Sequence, residues 1–248
     1  MLIRDNHGVT GPAHIVFRSL VGAALDVGQV PTHLAAEGIV LFAQADRLTL
    51  THALTSWAVA RTHPHADRSA FTAVQPRTSV AGPGAAGFSH ARLAPHTDRA
   101  LTSRPPSLIA LLIEQAAHDG GQSLLVDIRP TAIGAGCSAS ALTLGSADAG
   151  RWPILEINAE MARARFRDDA MARPQALDPH GHKILDQIRK LTSTPTVLSL
   201  KAGEGYLLHN HRILHGRTSF AGDRLAARLL ADIRPGHEFA WLNEGFTI

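Results

Sequence analysis

Pro95-His96-Thr97-Asp98-Arg99 sets an imidazole and a carboxylate two residues apart. In an extended backbone, residues i and i+2 project from the same face, so His96 and Asp98 can grip one divalent metal ion together. A second histidine completes a two-histidine, one-carboxylate set, which holds non-haem Fe(II) by one face and leaves its remaining positions open. The candidate is His215, in Asn210-His211-Arg212-Ile213-Leu214-His215-Gly216-Arg217. His209 and His211 share its parity, and alternation does not choose among the three. In a chain with 15 histidines one His-x-Asp triplet carries little weight alone, and the surrounding segments decide.

Those segments read as short strands between glycine turns. Gly38-Ile39-Val40-Leu41-Phe42 is an apolar run after a glycine and predicts a buried strand. Residues 107–113 are apolar on both faces, and the flanking Pro105-Pro106 and Gly120-Gly121 favour a strand that turns into residues 122–127 as a hairpin. Residues 196–200 and 205–209 read as strands around a turn at Gly203. Residues 223–232 alternate, which places Arg224 and Arg228 on one face and Leu225, Leu229 and Ile233 on the other.

Helical spacing is rarer. Phe17, Leu20, Val21, Ala24 and Leu25 predict a first amphipathic helix ending near Gly28, and Leu50, Leu54 and Trp57 a second with Thr49 near its start. Asp178-Pro179 opens a third, Asp as the cap and Pro at the first helical position, with Ile184, Leu185, Ile188 and Leu191 as its apolar stripe. Between 62 and 89 periodicity fades, and residues 82–87, dense in Gly and Pro, read as a loop, either a lid or a surface connection. Residues 131–150, rich in Gly, Ala and Ser, read as a flexible insertion. Arg163-Ala164-Arg165-Phe166-Arg167 reads as an extended arm whose guanidiniums face solvent or an acidic substrate group.

The composition suits such a frame. Hydrophobic residues make up 45% and charged residues 18%, so a packed core forms without staples. The single Cys137 excludes an internal disulfide framework. Net charge is only +3 and no basic run is interleaved with aromatics, which argues against nucleic acid as a partner. No run of 18 apolar residues and no leader-like N-terminus is present, so no membrane partner and a cytoplasmic location are expected. One domain over residues 1–248 is expected, with an insertion around 131–195.

Five pieces fall in an order that resembles one family. His96-Thr97-Asp98, Arg104-Pro105-Pro106, Gly120-Gly121-Gln122-Ser123, residues 210–217 and Asp223-Arg224 follow one another as in the Fe(II)/2-oxoglutarate-dependent oxygenases of the taurine dioxygenase and clavaminate synthase-like group. The resemblance spans roughly residues 38–234. It implies a mainly β fold with flanking helices, a double-stranded β-helix of jelly-roll type. It also implies His96, Asp98 and His215 as the catalytic iron ligands, His215 because the family's ligand stands immediately before Gly-Arg. Ser123 matches a residue that hydrogen-bonds the co-substrate. Arg224 matches the arginine that pairs with the distal carboxylate of 2-oxoglutarate, and Arg228 a second arginine that contacts a substrate carboxylate or assists. The planar guanidinium fork suits both tasks, since it meets a carboxylate with two hydrogen bonds. An acidic residue often precedes the Asn of the late motif, whereas here His209 stands there.

The implied cofactors are Fe(II), 2-oxoglutarate and O2, and the implied partner is a small-molecule substrate. The implied reaction is hydroxylation of an unactivated C–H in an amino acid or other carboxylate-bearing metabolite of a biosynthetic pathway. Two other readings use the same ligands: a zinc-dependent hydrolase with a metal-bound water as nucleophile, and a non-catalytic jelly-roll protein that binds a small molecule. The hydrolase leaves Arg224 and Ser123 without a task.

Overall fold

The computed structural model describes residues 15–78, 82, 85–135, 141–146 and 150–248. Two antiparallel sheets form its centre. The larger runs in the order Ala24–Leu25, Val16–Arg18, Ile39–Ala43, Gly205–His209, Leu108–Gln115, Leu225–Ile233 and Ala58–Ala60, with Phe71–Val74 also paired to Leu225–Ile233. The smaller runs Thr196–Leu198, Ser123–Asp127, Ile213–Arg217 and Leu93–His96.

The side-chain period of two sorts residues into layers. Leu108, Ala110 and Leu112 face one side of the large sheet, where they pack with Val30, Leu34, Leu50, Leu54 and Trp57. Ile109, Leu111 and Ile113 face the other side and pack with Leu125 and Ile213 of the small sheet. On the far face of the small sheet, Val126 and Leu214 meet Ile184, Leu185 and Ile188 of the helix Pro179–Ser193. A strand covered on both faces is apolar at every position, which is why 107–113 shows no alternation. The result is the expected mainly β architecture with flanking helices, a two-sheet jelly roll of the double-stranded β-helix type. Among the described residues no helix is long and apolar enough to cross a membrane.

Helix starts follow the sequence. Asp46 caps Arg47–Thr55 by accepting from the Thr49 N–H at 2.7 Å, and Asp178 caps Pro179–Ser193 by accepting from the Gly181 N–H at 2.7 Å.

Several local expectations are overturned. The segment carrying Phe17, Leu20, Val21, Ala24 and Leu25 forms the paired strands Val16–Arg18 and Ala24–Leu25 instead of a helix. Phe17 is buried opposite Phe42, while Leu20 and Val21 are exposed at the turn. The first helix is Val30–Glu37, ended by Gly38 in the left-handed conformation at φ 77°. Leu108–Gln115 and Ser123–Asp127 are not a hairpin, because Gly120-Gly121 hands the chain from one sheet to the other. The strands expected on either side of Gly203 do form, Thr196–Leu198 and Gly205–His209, and belong to different sheets. The region of faded periodicity holds one strand, Phe71–Val74, too short to show a period. Residues 131–150 include part of the helix Arg129–Ala135 and the strand Leu142–Ser146, with 136–140 and 147–149 outside the described residues. Of the candidate lid 82–87, residues 83 and 84 lie outside the described residues, and Ala85–Phe88 is a short 3-10 turn.

Two histidines are buried in this frame as packing groups. His209 donates from Nε2 to the Leu242 carbonyl at 2.8 Å, and the His211 ring lies 5.5 Å from it with neither nitrogen hydrogen-bonded among the described residues. Burial pushes His209 down to about 4 and His211 well below its ordinary value of 6.5. Both stay neutral in the folded protein, whereas the unfolded chain takes up protons below pH 6.5. The unfolded state therefore binds more protons in that window, and stability falls as pH drops from 6.5 toward about 4. The slope is at most about 1.4 kcal/mol per pH unit for each histidine. Urea denaturation checks this: the midpoint is expected to be lower near pH 5 than at neutrality, and the difference smaller in His209→Gln. Equal wild-type midpoints at the two pH values would contradict it.

Candidate metal and co-substrate site

The strand Leu93–His96 lies beside Ile213–Arg217 in a register that sets His96 opposite His215. Their ring centroids are 4.7 Å apart, tilted by 38°. Gly216 permits the approach, since a Cβ there would sit 2.5 Å from the Leu93 carbonyl oxygen. His96 Nδ1 lies 2.9 Å from the Ala94 carbonyl oxygen, which only accepts, so Nδ1 carries the proton and Nε2 keeps its lone pair. Burial, followed by the charge of Arg167, pushes His96 down to about 4, and burial pushes His215 down to about 3. Both rings are neutral at pH 7, the form that binds a metal.

The residues between and after these rings are fastened from two sides. Thr97 N–H donates to the Phe166 carbonyl at 2.8 Å, and Thr97 Oγ1 accepts from the Phe166 N–H at 3.1 Å. Asn210 closes on Asp98: its Oδ1 accepts from the Asp98 N–H at 2.9 Å, and its Nδ2 donates to the carbonyls of Asp98 and Pro106 at 3.0 and 2.8 Å. The Asp98 carboxylate lies 2.5 Å from Arg228 Nη1. Burial is the largest single influence and works against its charge, but Arg228 together with the neighbouring His215, His96 and His63 outweighs it, and the carboxyl is held down at about 2. Arg228 Nη2 in turn lies 3.2 Å from His63 Nε2.

His96, Asp98, His215, Ser123, Arg224 and Arg228 all line one cavity of about 540 Å³. His209 and His211 do not. Ser123, at the start of its strand, is bonded to the Tyr206 hydroxyl, and burial pushes Tyr206 up to about 12, so the phenol keeps its proton. Near them Arg224 is 5% exposed and has no hydrogen-bond or ion-pair partner among the described residues, with the Phe220 ring 5.9 Å away. A guanidinium stays charged, and a buried charge without a partner is costly, so this corner asks for an anion. The two glycines before Ser123 make room for it: a Cβ on Gly120 would lie 2.1 Å from the Ser219 carbonyl oxygen, and one on Gly121 3.1 Å from Arg224 Cδ.

Two neutral imidazoles, one carboxylate and an unpaired guanidinium fit a divalent metal with a carboxylate-bearing co-substrate. Among the described residues no three His, Cys, Asp or Glu side chains are already gathered as a closed ligand set, Asp98 being turned to Arg228. Sequence reasoning passed over two cavity residues and left a third open between solvent and substrate. Tyr206 was legible only as part of an apolar strand, although it is the chain's one tyrosine and shares the parity of the interior-facing Leu208. His63 sits where periodicity fades and carried no signal. Of the three arginines in 163–167, Arg163 pairs with Glu244 and Arg165 with Glu156, and only Arg167 reaches the cavity.

A double-stranded β-helix with this cluster beside an unpaired arginine is the plan of an Fe(II)/2-oxoglutarate oxygenase. The chain belongs to the taurine catabolism dioxygenase TauD, TfdA family, whose model matches residues 7–132, and it is an enzyme of that kind using iron and 2-oxoglutarate. Comparison with curated proteins finds no match to the sequence. Solved structures extend the likeness over the fold. An asparagine oxygenase in complex with Fe(II), 2S,3S-3-hydroxyasparagine and succinate has a TM-score of 0.59 at 15% identity, over 83% of this chain and 77% of that one. PvcB of Pseudomonas aeruginosa has a TM-score of 0.61 at 16% identity, over 93% and 97%. PvcB is an Fe, α-ketoglutarate dependent oxygenase from an isonitrile synthetic pathway. The non-heme iron oxygenase OrfP with Fe, succinate and (3S)-hydroxy-L-Arg has a TM-score of 0.57 at 16% identity, over 74% and 64%. At such identities the likeness is one of fold.

Asn210 generates a test of this geometry. Asn210→Ala leaves the buried N–H and carbonyl of Asp98 and the Pro106 carbonyl without their partner, which is expected to cost about 2–4 kcal/mol of stability in urea. Anaerobic titration is expected to show weaker Fe(II) binding as well. Wild-type stability and metal affinity in this variant would remove Asn210 from the role.

Proposed function

We propose that the chain is one double-stranded β-helix oxygenase domain over residues 1–248, with an insertion around 131–195, which hydroxylates an unactivated C–H of a small carboxylate-bearing metabolite. An amino acid or a relative of one, in a biosynthetic pathway of the cytoplasm, is the reading favoured. The observation that carries the proposal is the buried, unpaired Arg224 in the same cavity as His96, Asp98 and His215. A hydrolase has no use for that cation, whereas a dicarboxylate co-substrate supplies its partner. Support for an amino-acid-like substrate comes from two proteins of this fold, the asparagine oxygenase holding 3-hydroxyasparagine and OrfP holding hydroxyarginine.

Iron bound with 2-oxoglutarate and O2 supplies an oxidant strong enough for an unactivated carbon, with succinate and CO2 formed alongside. In this reading His96, Asp98 and His215 hold the metal, the imidazoles through free lone pairs and Asp98 as the carboxylate. Arg224 takes the distal carboxylate in a two-bonded fork, with the Ser123 and Tyr206 hydroxyls beside it. Arg228 orients Asp98 through Nη1. Arg217 donates from Nη2 to the carbonyls of Ser89 and Ala91 at 2.8 and 2.9 Å, which keeps the loop carrying Phe88 against the cavity and helps exclude water.

Incubation with Fe(II), ascorbate, 2-oxoglutarate and a panel of free amino acids, their N-acyl and deaminated relatives and other small carboxylates is expected to release succinate and an oxygenated product from at least one member of the panel. His96→Ala, Asp98→Ala and His215→Ala are each expected to abolish this, while His211→Ala retains it. Turnover that survives His215→Ala but is lost in His209→Ala or His211→Ala would overturn the ligand assignment. Arg224→Ala is expected to weaken 2-oxoglutarate binding by about 2–5 kcal/mol, the cost of truncating one side of a buried charge pair. If Arg228→Ala shows that loss and Arg224→Ala does not, the two arginines exchange roles.

A further inference from the structure

We propose that Arg167 holds the acidic group of the primary substrate, and that this substrate is an acid on an apolar body with no free ammonium group. The inference rests on the oxygenase reading above and narrows it.

Arg99, Arg167, Arg217, Arg224 and Arg228 line the cavity, and four of them are otherwise committed or exposed. Arg224 is matched to the co-substrate. Arg228 has Nη1 on Asp98, Nη2 against His63 and a buried Nε without a partner, which leaves it no free fork. Arg217 uses Nη2 on loop carbonyls, buries Nη1 and lies over the Phe220 ring at 4.3 Å. Arg99 is exposed.

Arg167 differs from all of these. It is 8% exposed, and its Nε is gripped by both oxygens of Asp169 at 2.9 and 2.8 Å. Asp169 is itself held by the Met171 N–H at 2.8 Å. Neither Nη of Arg167 has a partner among the described residues, so the terminal edge of a fixed guanidinium opens on the cavity. That edge can receive a carboxylate through two parallel hydrogen bonds. The neighbouring Phe166 is tied reciprocally to Thr97, between His96 and Asp98, so the backbone fixes this cation relative to the metal candidates. A substrate acid seated on Arg167 is thereby held at a set offset from the reacting centre, which is what orientation requires.

The same wall argues against an ammonium group. The described lining offers a single carboxylate, Asp98, already bonded to Arg228 and assigned to the metal. An α-ammonium would stand among several guanidiniums with no acidic partner, and like charges in a low-dielectric cavity repel strongly. Val74, Phe88, Leu93, Leu101, Leu111 and Met171 supply an apolar remainder suited to a hydrocarbon body. Within the carboxylate-bearing class, the cavity therefore favours acids whose nitrogen is acylated or absent.

The test is calorimetric. Protein loaded with Mn(II) and 2-oxoglutarate under argon is titrated with leucine, valine and phenylalanine, each as free amino acid, amide, N-acetyl acid and deaminated acid. The N-acetyl and deaminated acids are expected to bind, and the free amino acids and amides to bind at least about tenfold more weakly. Arg167→Gln is expected to weaken the acids by about ten- to a hundredfold while 2-oxoglutarate affinity stays as in wild type, and Arg167→Lys to recover part of the loss. Free amino acids binding as tightly as their acetylated forms, unchanged acid affinity in Arg167→Gln, or no acid binding to wild type loaded with 2-oxoglutarate would each overturn the proposal. Failure of 2-oxoglutarate itself to bind wild type would instead bring down the oxygenase reading, and this inference with it.

Discussion

The register between Leu93–His96 and Ile213–Arg217 is the constraint on which the site depends. A slip of one residue would turn His215 to the outer face of the small sheet and leave Gly216 opposite His96. The neighbours of His215 oppose such a slip from both directions. Leu214 is committed to the outer core, and Gly216 occupies a position where any Cβ would strike the backbone of the neighbouring strand. The turn that precedes the same strand supplies Asn210, whose amide grips the backbone of Asp98. One turn-and-strand unit thus places His215 against His96 and fixes the segment that carries Asp98.

Buried guanidiniums divide into two kinds in this protein. Arg165 pairs with Glu156 and donates to the Thr102 carbonyl, and Arg212 pairs with Asp127 and donates to the Ala36 carbonyl. Such partnered cations satisfy a rule of folding, since a buried charge needs a partner, and they say little about function. Arg224 breaks the rule, and so do the terminal nitrogens of Arg167. Both face the cavity that holds the metal candidates, where a departure from internal satisfaction points to a ligand. The surplus of positive charge there complements anions, and it complements two of them at separate places.

Much of this was legible in the sequence, because a few residues act through local geometry. The His-x-Asp spacing, the Asn to Arg segment and the glycine pair each encode a backbone arrangement, and each stands where the structure needs it. The layered β architecture was legible for a similar reason, as the strands around the site are long enough to show their apolar faces. The failures came where long-range pairing decides. Phe17 and Leu25 have helical spacing but pair with each other across strands, Phe17 pairing also with Phe42, and the break at Gly120-Gly121 looks like a hairpin although it moves the chain between sheets. The bond from Arg228 to Asp98 and the opening of Arg167 onto the cavity join residues distant in the chain, and no local pattern announces either.

The most direct test of the site is an anaerobic crystal structure of the protein with Fe(II) and 2-oxoglutarate. The expected density places the metal on His96, Asp98 and His215 and the distal carboxylate on Arg224 beside Ser123 and Tyr206. A metal bound through His209 or His211, or a distal carboxylate seated on Arg228 with Arg224 left unpaired, would contradict it.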